Sequence, residues 1–159
     1  MREILFRGKE RYECEWVYGA YSLWDYDSET KTTTTDTSII DYDNECLWVR
    51  VIPETVGQFT GIIDKNGKKI FEGDIVRTQP FYDKPYSSKR KGKQFVGVVE
   101  YVTHKFNGNK FYSEQIYDAH WRVNIVDDIG KYTHCSWSNF WNCEVIGNIY
   151  DNPELLEVK

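Results

Sequence analysis

Nowhere in this sequence do apolar residues run on for the roughly 20 positions that a membrane-spanning helix requires, which excludes a helical membrane anchor and predicts no membrane partner. The start, Met1 to Lys9, is broken by Arg2, Glu3, Arg7 and Lys9, so it lacks the uninterrupted apolar stretch of a secretory signal. The expected compartment is therefore the cytoplasm. Cysteine is scarce: Cys14, Cys46, Cys135 and Cys143 are the complete set, and without an export signal they are expected as reduced, partly buried thiols rather than disulfides. Excess positive charge is also missing. The net charge of -5 and pI near 5.3 create a field that repels phosphate backbones, so non-specific nucleic-acid binding gains no long-range help. No spacing of Ser, Cys, His, Asp or Glu fixes a nucleophile beside a base or a pair of glycosidase carboxylates, and the expectation is a protein that is not an enzyme and needs no cofactor.

Aromatics are abundant. Twelve Tyr, eight Phe and six Trp make up 16% of 159 residues, and such side chains favour pleated, half-buried surfaces over helices. The length suits one ordinary domain, residues 1–159. Short apolar runs bounded by turn residues recur along it. Strands are predicted over Arg2 to Arg7, Glu15 to Trp24, Ser38 to Asp41, Leu47 to Ile52, Phe95 to Val102, Trp121 to Val126 and Glu144 to Tyr150. The polar stretch from Asp25 to Asp36 reads as a loop or exposed edge strand, and Asp127 to Gly130 as a turn. A terminal helical turn is predicted over Asp151 to Leu156, with Asn152 as N-cap and Pro153 at the first helical position.

The strongest local signal is central. Asn66-Gly67 can supply both positive-φ positions of a type I′ turn, placing Ile62 and Ile63 opposite Ile70 and Phe71. A second turn at Glu72-Gly73-Asp74 then feeds Ile75-Val76-Arg77, giving three strands with short connections, a β-meander. From Thr78 to Gln94 the chain turns polar and basic, and Pro80 and Pro85 oppose regular pairing, so this stretch is predicted as an exposed loop. The expected fold is mainly β: an antiparallel meander forming a small SH3-like barrel or a strongly bent sheet over about 54–150, with extra N-terminal strands over about 1–53 and a tail over 151–159.

Four blocks, Met1 to Gly8, Glu54 to Gly61, Asp64 to Val76 and Glu144 to Leu156, together resemble the YopX family. The resemblance spans start, centre and end, and is not diagnostic over about 25–45 and 78–95. It implies a mainly β protein encoded by bacteriophages or prophages of Gram-positive bacteria, active inside the host cell, with no biochemical function assigned. No catalytic residue is carried over by it.

Three kinds of site compete with ordinary structural roles. His134-Cys135 with Cys143 and His120 is the one grouping that offers metal ligands, but its spacing fits no compact zinc pattern, and thiols filling gaps in an aromatic core explain the cysteines equally well; no metal is predicted. Glu72 and Asp74 flank Gly73, where acidic side chains ordinarily accept neighbouring backbone N–H groups. The basic loop carries the sharpest binding hypothesis: Lys84, Lys89, Arg90, Lys91 and Lys93 can contact phosphates while Tyr82, Tyr86 or Phe81 stack on unpaired bases; its ordinary reading is a solvated loop.

Trp and Tyr are also the residues that anchor protein interfaces. Trp16, Trp48 and Trp121 fall in predicted strands and are expected to be structural, whereas Trp24, Trp137 and Trp141 flank less regular stretches and are expected to be partly exposed. The functional expectation is a non-catalytic accessory protein that binds a host or phage protein, with self-association open. The alternative is a small barrel that binds single-stranded nucleic acid through residues 84–93.

Overall fold

The computed structural model describes residues 3–24, 36–45, 47–78, 94–106, 116–126, 132–135 and 142–157. Among them the chain is built from antiparallel strands in two sheets, with two short 3-10 turns and no α-helix. It divides into two compact units, Met1–Gly61 and Ile62–Lys159.

The first unit holds β1 (Phe6–Lys9), β2 (Trp16–Trp24), β3 (Asp36–Asp41), β4 (Leu47–Arg50) and most of β5 (Gly57–Ile63). The sheet order is β4-β3-β2-β1-β5-β6, its last member reached through the continuation of β5 beyond Gly61. Sequence neighbours pair directly because their connections are short, as Tyr42 to Glu45 shows between β3 and β4. The sheet is strongly bent. The end of β1 swings beside the end of β4: Glu10 and Val51 form an isolated bridge, Ile52 N–H donates to Lys9 C=O at 2.8 Å, and Arg11 N–H donates to Arg50 C=O at 3.1 Å.

Two glycines permit this curvature. A Cβ on Gly19 would sit 1.7 Å from the Ile40 carbonyl oxygen, and one on Gly8 would crowd Ile39 and Val51 at 3.1 Å. Ile39 and Val51, both fully buried, fill the space the glycines leave. The bent-sheet expectation holds, with its curvature in the N-terminal strands; among the described residues the pairings do not amount to a closed barrel.

In the second unit β5 ends in a hairpin to β6 (Lys69–Phe71), and a five-stranded sheet follows in the order β10-β9-β8-β7-β11. Its strands are β7 (Asp74–Arg77), β8 (Val96–Phe106), β9 (Ile116–Val126), β10 (Tyr132–Cys135) and β11 (Glu144–Asn148). Alternate residues of β7, β8, β9 and β11 face one side, and Val76, Val99, Trp121, Val123, Ile125 and Val145 join Ile70 and Cys143 in one core.

Four expectations are corrected. The hairpin turn is not type I′: Asn66 keeps a negative φ and only Gly67, at +84°, is left-handed. Asp64 decides this. Its Oδ1 accepts the N–H groups of Asn66 at 2.7 Å and Lys68 at 2.9 Å, while Asp64 N–H donates to Lys68 C=O, a tight turn followed by a glycine bulge. The meander stops at Gly73, because β7 pairs with β8 and β11 rather than β6. Gly73, at φ +79°, donates its N–H to Val99 C=O and accepts the Ile149 N–H, which carries the chain into the other sheet. The first strand starts at Phe6, not Arg2. The terminal turn Pro153–Leu156 is a 3-10 helix with Asn152 at its N-cap position and Pro153 first, but Asn152 makes no side-chain cap; Asn148 Oδ1 instead accepts the N–H groups of Tyr150 and Asp151.

Candidate binding patch

In β4 the run Leu47-Trp48-Val49-Arg50 is apolar in both alternation phases up to Arg50, so the sequence cannot say which phase faces inward. Register answers it. Val49 opposes Ile39, whose side chain is fully buried, and Trp48 opposes Ile40 on the other side of the sheet. Ile40 in turn opposes Ala20. Ala20, Ile40 and Trp48 therefore form one cross-strand row about 10 Å wide on three adjacent strands. Ala20 and Ile40 are half-buried, and Trp48 is 51% exposed. The expectation that Trp48 is structural is thus wrong; Trp121, 2% exposed, fulfils it. Tyr18, on the same side of β2 as Ala20, is 39% exposed.

Cations border this row. Arg50 lies two residues past Trp48 on the same side of β4, and Arg11 is held beside it by its backbone bond to Arg50; both side chains are exposed. Opposite Trp16 in β1–β2 pairing stands Lys9. The Trp16 ring carries the Arg7 guanidinium at 4.6 Å and the Lys9 ammonium at 5.6 Å from its centroid, cation–π contacts that occupy it. Nearby carboxylates point into their own turns. Glu10 Oε2 accepts the N–H of Tyr12 at 2.7 Å and that of Glu13, and Asp41 Oδ1 accepts the Asp43 N–H at 2.9 Å.

The second unit contains a buried cluster that invites a catalytic reading. Asp64, 5% exposed, stands near the buried thiol of Cys143, with Asp74, 1% exposed, also acting on that thiol. The oxygens of Asp64 are spent on backbone: Oδ1 on the turn, Oδ2 on the Val145 N–H at 3.0 Å across 81 residues. Burial pushes the Asp64 carboxyl up, but the N–H groups of Val145, Lys68 and Asn66 outweigh it and hold it below its ordinary value. Burial, with the Asp64 and Asp74 charges, pushes the Cys143 thiol up to about 11. A thiol so protonated is a poor nucleophile at neutral pH. Asp74 Oδ2 accepts the Phe71 N–H at 2.8 Å, the turn role expected of it. This cluster pins the hairpin to β11, where Lys65 N–H also donates to Cys143 C=O at 3.0 Å.

The family model for YopX protein matches residues 5–157. The chain belongs to the YopX family. Among solved structures, this YopX-family chain is similar to protein EF1440 from Enterococcus faecalis, at 23% identity and a TM-score of 0.48, over 99% of this chain and 100% of that one. A search of curated proteins finds no match.

Of the residues predicted from sequence to bind, Lys84, Lys89, Arg90, Lys91, Lys93, Phe81, Tyr82 and Tyr86 lie outside the described residues of this YopX-family chain, as do Trp137 and Trp141. The base of their segment is described: Thr78 N–H donates to Phe95 C=O at 2.8 Å and Thr78 Oγ1 accepts the Phe95 N–H at 3.1 Å. His134 and Cys135 belong to β10 and His120 to β9, but only backbone is described for the first pair. No group of three or more His, Cys, Asp and Glu that could hold a metal ion occurs among the described residues. Cys14, exposed, and Cys143, buried, are free thiols. No helix is long and apolar enough to cross a membrane among the described residues.

Proposed function

We propose that this YopX-family chain is a non-catalytic binding module that engages a protein partner through the Tyr18, Ala20, Ile40 and Trp48 patch. The supporting observation is Trp48: a large aromatic half in solvent at the end of a row with an aliphatic floor, with arginine alongside. Trp, Tyr and Arg are the residues that dominate binding energy in protein interfaces. Covering the exposed half of one tryptophan removes on the order of 100 Å² of apolar surface, worth about 2–3 kcal/mol. That is the scale of an interface anchor. An oligonucleotide-binding role for the basic loop remains the second reading, motivated by its sequence.

The test compares wild-type chain with a Trp48→Ser variant as immobilised bait in host-cell extract, with retained proteins quantified by mass spectrometry. One or more proteins held by the wild type and lost from the variant is the expected result. Identical retained sets would show that the patch is not the working surface. A turnover activity that purifies with the chain would overturn the non-catalytic reading.

A further inference from the structure

We propose that the Ala20, Ile40 and Trp48 row, with Arg50 and Arg11 at its end, receives a protein segment that presents one apolar side chain flanked by carboxylates. This rests on the protein-binding reading and adds the chemistry of the partner.

Charge complementarity carries it. Within residues 1–61 acidic residues outnumber basic ones, yet Arg50, Arg11 and Lys9 gather where the end of β1 meets the end of β4. The carboxylates of Glu10 and Asp41 are turned back onto backbone N–H groups, and Glu54, exposed in the 3-10 turn that follows β4, is the acidic side chain at the rim. The local charge is thereby inverted beside the one exposed tryptophan of the described side chains. Desolvated opposite charges at the edge of an apolar anchor select the partner and its register more than they add raw affinity.

The same geometry disfavours a nucleic acid here. Trp16, which might have continued a stacking path from Trp48, already has Arg7 and Lys9 over its ring. The neighbours of Trp48 in its row are Ala20 and Ile40, which make a floor for an aliphatic or aromatic side chain rather than a second stacking surface for a base. With about three phosphate contacts available, a single strand would show a log–log salt slope of only about -2, set against a chain of net charge -5.

The experiment selects short random peptides displayed on messenger RNA against the full chain, then titrates enriched peptides and a deoxythymidine oligonucleotide while following tryptophan fluorescence. Enriched peptides are expected to share an apolar residue next to Asp or Glu, to bind Trp48→Ser about 50-fold more weakly, and to weaken several-fold on Arg50→Glu. Arg50→Glu alters an exposed charge and leaves the fold intact. Replacing the peptide carboxylate by lysine is expected to restore binding to Arg50→Glu. Peptides that depend on Trp48 but share no carboxylate would overturn the acidic partner and leave the patch standing. Peptides indifferent to Trp48→Ser, or binding of the oligonucleotide alone with loss in that variant, would overturn both.

Discussion

Replacing Asp64 by alanine is expected to destabilise the second unit far more than its place beside a surface turn suggests. Three backbone N–H groups converge on this carboxylate. Two belong to exposed residues, Asn66 and Lys68, and water can replace much of what they lose. The third, from Val145 in the core, would be left buried without an acceptor, costing about 1–3 kcal/mol, and a hydrogen bond to a charged group adds comparably. The expected loss is therefore about 2–4 kcal/mol, or roughly 5–15 °C in Tm for a chain of this length. Urea unfolding followed by far-UV circular dichroism measures it. Asp64→Asn, which keeps an acceptor oxygen and drops the charge, should fall between alanine and wild type.

The acid dependence has a definite sign. Because the folded carboxyl titrates below its ordinary value of 3.8, its stabilisation is complete above that value and is lost as pH falls through the lowered folded value. Wild type and Asp64→Ala should thus converge in acid and differ fully near neutrality. A difference below about 0.5 kcal/mol at pH 7, within the range of ordinary surface substitutions, would refute the view that this carboxylate pins the turn to β11.

Gly19→Ala should prevent the first unit from folding natively, since its Cβ would overlap the Ile40 carbonyl, whereas Gly67→Ala, with open space but φ +84°, should cost only about 1 kcal/mol; solubility and circular dichroism of the two variants separate these outcomes. Trp48→Ala should shift the urea midpoint little, and Trp121→Ala should cost about 3–5 kcal/mol, because the first side chain is half in solvent and the second is 2% exposed. Alkylation by iodoacetamide at pH 8, read by peptide mass spectrometry, should label exposed Cys14 long before Cys143, whose thiol is buried and pushed up to about 11; equal labelling would contradict the burial.

Strand positions were legible wherever alternation met turn residues: β2, β3, β9 and β11 lie close to the segments their residues predict. Aspartate at turns was legible as well, since a short carboxylate reaches neighbouring N–H groups whatever the rest of the fold does. The candidate patch was not. In Leu47-Trp48-Val49-Arg50 both phases are apolar, and only the pairing of β4 with β3 turns Val49 inward and Trp48 outward. The pairing of Arg7 and Lys9 with Trp16 likewise depends on β1 lying against β2.

By itself the sequence determined the mainly β class, the family and the positions of its turns, because composition, alternation and turn chemistry act over a few residues. It placed a turn at Asn66-Gly67 but not its type, which the Asp64 side chain set. Tertiary structure decided that the strands after Gly73 join a second sheet, that Asp64 reaches across 81 residues to Val145, and that Trp48 rather than Trp121 meets solvent. The reason is common to all three. Burial and hydrogen-bond partners are properties of pairs of segments far apart in the chain, and one segment read alone carries no record of its partner.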